Sequence, residues 1–410
     1  MKTKPTIAMI PSGYKESVLY SIMPTVGNDF DYAGGSSTVV DKEAFVKEVA
    51  SNIPAINVEK GESFLRLERG TENLVKYSEN ISVSEWLKTA TTVSLDGGVV
   101  SPSGKLGVYH VAATETMEEH RINDSVADPL VAPAVYTASF YIKSNNHTNV
   151  VILLGDGADY ITNLNLETLE YEVVGAQILQ FDVKRDANGW LRVEAIGNIQ
   201  IGITPLVRVY LANAAGDTVY KGDGVSGFYF WGAQMELGYG GTSYIPTSGS
   251  TIVKSSKKIG LVSDVFTTLR GTLIFTSRLK SDISGAENRC IRLGDTNNSF
   301  DGIRIQFANQ EDRILVQYRD GINTIEIGLF LVENLREFNT FAFSYESGSF
   351  KFFMNGIKIG ENNSTIDEVD MNINWLRSFR TGEEEIFNGD IKKILFYNQV
   401  LSEEEISSIK

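Results

Sequence analysis

The sequence predicts an all-β protein: two antiparallel β-sandwiches of jelly-roll type in tandem, preceded by a mainly extended N-terminal arm with one short helix. Three observations carry this. Apolar residues recur with period two over much of the chain, as in Leu206–Leu211, where Val207, Val209 and Leu211 oppose Arg208 and Tyr210. Glycine-containing turns separate these runs, among them Gly155-Asp-Gly157 and Asp186-Ala-Asn-Gly189. Long helical patterns alternating with strands, which an α/β enzyme fold requires, are missing.

Residues 1–70 lack a steady period and read as the arm. Within it Asp41–Ala50 has Phe45, Val46 and Val49 on one side, which predicts a short amphipathic helix. Residues 71–250 read as the first sandwich. Tyr136, Ala138, Phe140 and Ile142 alternate with Thr137, Ser139, Tyr141 and Lys143, and the unbroken apolar run Val150–Leu154 predicts a central buried strand. Pro246–Ser250 is polar and breaks both periods, so the boundary is placed there. Residues 251–410 read as the second sandwich. Ile303, Ile305 and Phe307 share one face, as do Phe341, Phe343 and Tyr345. Asn355-Gly356 predicts a type I′ hairpin, because both central residues of that turn need positive φ. Ser402 and Glu405 form a capping box flanked by Leu401 and Ile406, which predicts a short C-terminal helix.

Composition limits the function. At 410 residues the chain exceeds one ordinary core. A net charge of −15 argues against nucleic-acid binding and against docking on anionic membranes. The single cysteine, Cys290, rules out an intramolecular disulfide and suits a reducing cytoplasm. The apolar run Ile7–Ile10 stops at Pro11, too short for a secretory core, and no stretch has the length of a membrane helix, so no membrane insertion is expected.

Chemistry-bearing motifs are sparse. His110, His120 and His147 have no metal-ligand spacing, and His110 and His120 read as surface or cleft residues. No nucleophile elbow, P-loop or dinucleotide fingerprint occurs in a strand-turn-helix context, and no pair of the 52 acidic residues stands out as a hydrolytic couple, so a non-enzymatic role is expected. Asp295, Asn297, Asn298 and Asp301 offer oxygen ligands on a loop; the spacing fits no EF-hand, and such residues also make ordinary turns. Trp190 and Trp231 read as core. Tyr109, His110, Arg121 and Tyr160 fall in loops or strand ends of the first sandwich and offer the aromatic faces and hydrogen-bonding groups with which a cleft would hold a glycan.

Two stretches carry resemblances. Phe338–Tyr345, Gly348–Gly356 and Gly389–Ile406 resemble the hairpin, closing strand and helix of laminin-G-like, concanavalin-A-like domains, over roughly the last 150 residues. Thr71–Asn80 (TENLVKYSEN) with Trp86, and Gly227–Gly238 (GFYFWGAQMELG) through Thr242–Gly249, resemble the entry and exit of carbohydrate-binding-module-like jelly rolls of phage fibre and head-spike proteins. Pro5–Lys15 and Glu48–Pro54 resemble the start of such virion proteins, although Phe30–Thr38 lacks the arginine-bearing stretch that related chains often carry there. Both domain types often bind calcium, which makes Asp295, Asn297 and Asp301 the calcium candidates. These resemblances imply a phage structural protein on the virion surface, of capsid or tail, made in the host cytoplasm. Its arm would hold other virion proteins, its sandwiches host surface polysaccharide, and its state would be a homotrimer. A decoration protein without sugar binding and a polysaccharide depolymerase are the alternatives.

Overall fold

The computed structural model describes residues 3–12, 18–21, 31–262, 270–281, 289–294, 302–307, 313–319, 324–365, 375–378 and 387–409. The chain divides into two compact units: Ser37–Glu48 with Thr71–Lys254, and Met1–Ser36 and Val49–Gly70 with Ser255–Lys410.

The first of these is a two-sheet sandwich. A six-stranded sheet runs in the order Thr91–Val100, Leu106–Ala113, Gly227–Leu237, Ala134–Asn145, Leu191–Ile199, Ile178–Arg185. The other sheet runs Tyr171–Val173, Ile161–Asn165, Asn149–Gly155, Pro205–Ala212, Met117–Ser125, Val219–Lys221, and Leu87–Thr89 also pairs with Met117–Ser125. Alternation decides what lies between them: Tyr136, Ala138, Phe140 and Ile142 from one sheet share a core with Val207, Val209 and Leu211 from the other. Phe140, Ile142, Val207, Val209 and Leu211 each contribute about 1.5–3 kcal/mol when fully buried. The apolar run Val150–Leu154 is a central strand, as expected. Val150, Ile152 and Leu154 enter the core, and Val151 and Leu153 join a smaller cluster on the opposite face.

The six-stranded sheet has its outer face covered. Trp190, Trp231 and Tyr141 are buried there under Tyr244 and Val46, so the tryptophans are core residues. The segment that follows Leu237 is tied down by side chains of the sheet. Glu236 accepts from the Thr242 amide (2.9 Å) and hydroxyl (2.7 Å), Glu194 from the Gly241 amide, and Gln234 from the Ile245 amide.

In the second unit, a nine-stranded sheet contains the path Val18–Ser21, Ile7–Ser12, Gly389–Tyr397, Gly271–Leu279, Asn339–Glu346, Ser349–Met354, Ile357–Asn362. The facing seven-stranded sheet runs Thr324–Leu331, Arg313–Arg319, Gly302–Phe307, Arg289–Gly294, Trp375–Arg377, Lys258–Val262, Asp31–Ala33. Ile303, Ile305, Phe307, Phe341, Phe343 and Tyr345 meet in one core. Met354 pairs with Ile357, and Asn355 (φ 51°) and Gly356 (φ 82°) make the turn between them. The C-terminal helix Glu403–Ser407 has the full capping box of Ser402 and Glu405, with Leu401 and Ile406 buried in one cluster.

Two expectations are corrected. The N-terminal residues do not form a free extended arm: Ile7 pairs with Phe396, Leu65 with Ile391 and Tyr32 with Ile259. Ile7, Met9, Leu65 and Leu67 are buried in the core of the second unit. A detached arm would leave these side chains and their backbone groups in water, and strand pairing satisfies both. Nor is Asp41–Ala50 a helix. The Asp41 carboxylate accepts from the amides of Glu43 (3.0 Å) and Phe45 (2.8 Å), Ala44 takes φ 61°, and Val46–Val49 continues as a strand beside Ser37–Val40. A local aspartate turn competes directly with helix nucleation, and the β-branched valines favour the strand.

Candidate functional site

The outer face of the seven-stranded sheet in the first unit holds the candidate site. The same alternation that turns Ile122, Val209 and Ile152 inward turns Arg121, Tyr210 and Val151 outward. Register then aligns them. Glu172, Asn163, Val151, Tyr210, Arg121 and Thr89 form one row across the strands. Leu153, Arg208, Asn123 and Leu87 form the next.

At the centre, two arginines flank one tyrosine. Arg121 donates from Nη1 to Tyr210 Oη (2.9 Å), with its guanidinium 5.4 Å from the ring centroid. Arg208, two residues before Tyr210 on the same strand, has its guanidinium 6.0 Å from the same centroid. Each arginine also meets one carboxylate oxygen: Arg121 with Glu119 at 2.6 Å and Arg208 with Asp156 at 2.9 Å. The Nε atoms of both arginines are buried without a partner. Beside this cluster lies a groove of about 350 Å3, lined by Asn149, Asn163, Asn165, Tyr171, Glu172 and the turn at Ala214–Gly216. Tyr171 is half exposed. The face therefore combines amides, carboxylates, guanidinium groups and an accessible aromatic ring. An arginine beside a carboxylate offers a donor next to an acceptor, which matches a pair of neighbouring hydroxyl groups.

The residues named from the sequence are not brought together. Arg121 is on this open face. Tyr109 is partly buried and packs against the core. His110 lies on the other sheet, its ring 5.2 Å from that of Tyr229 and its Nε2 accepting from Asn145 Nδ2 (2.9 Å). Burial pulls the His110 imidazole below its usual value, and Asp96 partly offsets this. Tyr160 is a correction: it is only 2% exposed, and its hydroxyl accepts from the Gln200 amide (2.9 Å). Gly155 makes room for it, since a Cβ there would sit 2.9 Å from the Tyr160 ring. His120 is a second correction, fully buried rather than at a surface or cleft, with each ring nitrogen against a backbone carbonyl, Ala90 (2.6 Å) and Tyr220 (2.8 Å). Asp295, Asn297, Asn298 and Asp301 lie outside the described residues. Arg208, Tyr210, Asn149, Asn163 and Asn165 were missed, yet Arg208 and Tyr210 already stood on the polar side of their strand in the sequence.

The profile of the concanavalin A-like lectin/glucanases superfamily matches residues 271–407. No curated protein matches the chain. Among solved structures, the Ruminococcus gnavus IT-sialidase CBM40 bound to α2,3-sialyllactose is 17% identical, covering 34% of this chain and 82% of its own, at a TM-score of 0.28. Domain 4 of the Geobacillus stearothermophilus arabinanase AbnA, in complex with arabinotriose, is 13% identical over 41% and 81% of the two chains, at 0.31. A putative carbohydrate binding protein from Bacteroides ovatus is 12% identical over 72% and 80%, at 0.26. Scores this low carry no argument, so the assignment rests on the profile and the sheet topology: the C-terminal β-sandwich has the concanavalin A-like lectin fold.

Proposed function

We propose that this protein is a non-catalytic glycan-binding protein displayed on a bacteriophage particle, where it holds host surface polysaccharide. The observation that carries the binding reading is the outer face of the seven-stranded sheet, where Arg121 and the solvent-facing carboxylates Glu119 and Asp156 stand beside the amide-lined groove. Its donor-acceptor pairs suit neutral or weakly charged sugars. The lectin-type fold of the second unit supports the same class of ligand. The phage assignment rests on the motifs at Thr71–Asn80 and Gly227–Gly249. Attachment to other virion proteins, a homotrimeric state and a place on the capsid or tail surface belong to this proposal, and many copies would raise a weak single-site affinity through avidity.

The test is binding of multimerised protein to an array of bacterial surface polysaccharides, with Arg121→Ala and Asn163→Ala as variants. Retention on at least one polysaccharide is expected, with each variant losing roughly threefold to a hundredfold, the range for a charge-assisted or sugar-hydroxyl contact. Equal retention of the folded variants would overturn the assignment of the face. Shortening of the polymer by the wild type would overturn the non-catalytic reading.

A further inference from the structure

A second cleft lies in the first unit, at the end of the sandwich. It has a volume of about 290 Å3 and is lined by His147, Asn213, Tyr220, Lys221, Asp223 and Ser226, among others. That is close to the small end of pockets that take organic ligands, and it has room for more than one water. Two of its lining residues carry a buried polar atom with no partner, His147 Nε2 and Tyr220 Oη. Buried polar atoms are almost always satisfied, so two in one cleft mark it as a place where water or a ligand hydroxyl supplies the missing partner. The two rings lie nearly parallel, 18° apart with centroids at 6.3 Å.

The remaining lining is polar and fixed. Asp223 accepts from the Val225 amide (2.9 Å), the Ser226 amide (2.7 Å) and the Ser226 hydroxyl (2.6 Å). Led by the Ser226 hydroxyl, these bonds hold its carboxyl down at about 2. It is therefore an ionised acceptor at a set position. Burial pushes the His147 imidazole below its usual value, against the opposing effect of the Asn149 and Ala212 backbone. A neutral imidazole has one nitrogen that accepts, and a tyrosine hydroxyl both donates and accepts.

We infer that this cleft is a separate binding site for a single polyhydroxylated ring, a terminal sugar unit whose hydroxyls reach His147 Nε2, Tyr220 Oη and Asp223. A hydroxyl is the group that suits all three, because it donates to the imidazole and the carboxylate and accepts from the phenol. An anion is disfavoured by Asp223, and an apolar ligand would leave the orphans unsatisfied. The cleft shares Ala212 and Ala214 with the groove described above, but His147, Tyr220 and Asp223 line the cleft alone, so the inference stands whether or not the groove binds sugar.

The experiment uses the full chain with 15N-labelled histidine. Ring signals of His147 are followed while methyl glycosides of glucose, galactose, mannose and N-acetylglucosamine are added singly at millimolar concentration. A saturable shift with at least one of them is expected, weakened roughly threefold to tenfold in Tyr220→Phe, which loses one neutral hydrogen bond, and unchanged in Asn163→Ala. No shift with any glycoside in the folded protein, or the same shift in Tyr220→Phe, would overturn the inference. So would a shift abolished by Asn163→Ala, which would make it an indirect effect of the groove.

Discussion

Replacing Asp390 by asparagine should destabilise the second unit by about 3–5 kcal/mol, the usual result of removing one partner from a buried ion pair. Asp390 is fully buried on the Gly389–Tyr397 strand. It accepts from Arg66 Nε (2.7 Å) and Nη2 (3.0 Å) and from Arg278 Nε (2.9 Å). Arg278 also donates to Glu59 (2.7 Å) and packs 4.5 Å from the Phe338 ring centroid. Asparagine keeps the size and one acceptor oxygen, but it removes the charge and turns an amide N–H₂ toward two guanidinium groups. Their side chains are only 12% and 18% exposed, so water compensates little. Burial alone would raise the Asp390 carboxyl, yet Arg66 and Arg278 hold it far below the usual carboxylate range. Its contribution is therefore complete above about pH 4, where the unfolded carboxyl is ionised, and is lost as pH falls further. Urea denaturation at neutral pH, followed by proteolysis near residues 62–67, measures the effect. A loss below about 1 kcal/mol would show that the pair is a solvent-compensated surface bridge, and the reasoning would fail.

Two further substitutions have calculable outcomes. Asp124 is the reverse case: burial raises its carboxyl to about 7, Lys76 lowers it and Glu85 raises it again. The fold prefers the protonated form, so stability should decline as pH rises from about 4 to about 7, by up to roughly 4 kcal/mol, and then level off. Asp124→Asn should remove that slope; urea midpoints near pH 5 and near pH 8 that change as much in the variant as in the wild type would refute it. Gly356→Ala should cost about 1–2 kcal/mol, since its φ is 82° and a Cβ would lie 3.0 Å from Ser407 Cα; an unchanged melting temperature would contradict this.

Much of this fold was legible because its signals are local. Period two put Val207, Val209 and Leu211 inside, positive φ marked Asn355-Gly356, and a four-residue capping box marked the last helix. The pairings Ile7 with Phe396 and Leu65 with Ile391 had no such signal. Strand partners far apart in sequence are selected by packing, and nothing near Ile7 records which edge receives it. Asp41–Ala50 misled because Phe45, Val46 and Val49, at helical spacing, also suit a turn followed by a short strand. Tyr160 misled for another reason. A tyrosine beside a Gly-Asp-Gly turn reads as exposed, while only the structure shows its ring filling the space left by Gly155. The site was legible in part: the alternation had already set Arg208 and Tyr210 apart from the core, and register was needed to bring Arg121 beside them.

The contrast between Asp390 and the Arg121–Tyr210–Arg208 cluster separates a structural ion pair from a surface suited to binding. Asp390 takes three guanidinium N–H groups and is fully buried. On the outer face of the seven-stranded sheet each arginine meets its carboxylate through Nη1 alone; the arginine side chains are 26% and 13% exposed, and it is Glu119 and Asp156, at 42% and 56%, that face solvent. Those carboxylates keep acceptor capacity toward solvent. The opposite sheet of the same unit shows what happens when such capacity is consumed internally. There Glu236, Glu194 and Gln234 are bonded to the segment Gly241–Ile245, which lies over them. One sheet thus carries its own cover, while its partner presents solvent-facing carboxylates beside arginines already held in place. Ordering those groups costs little on binding, because Tyr210 and the flanking strands already hold them.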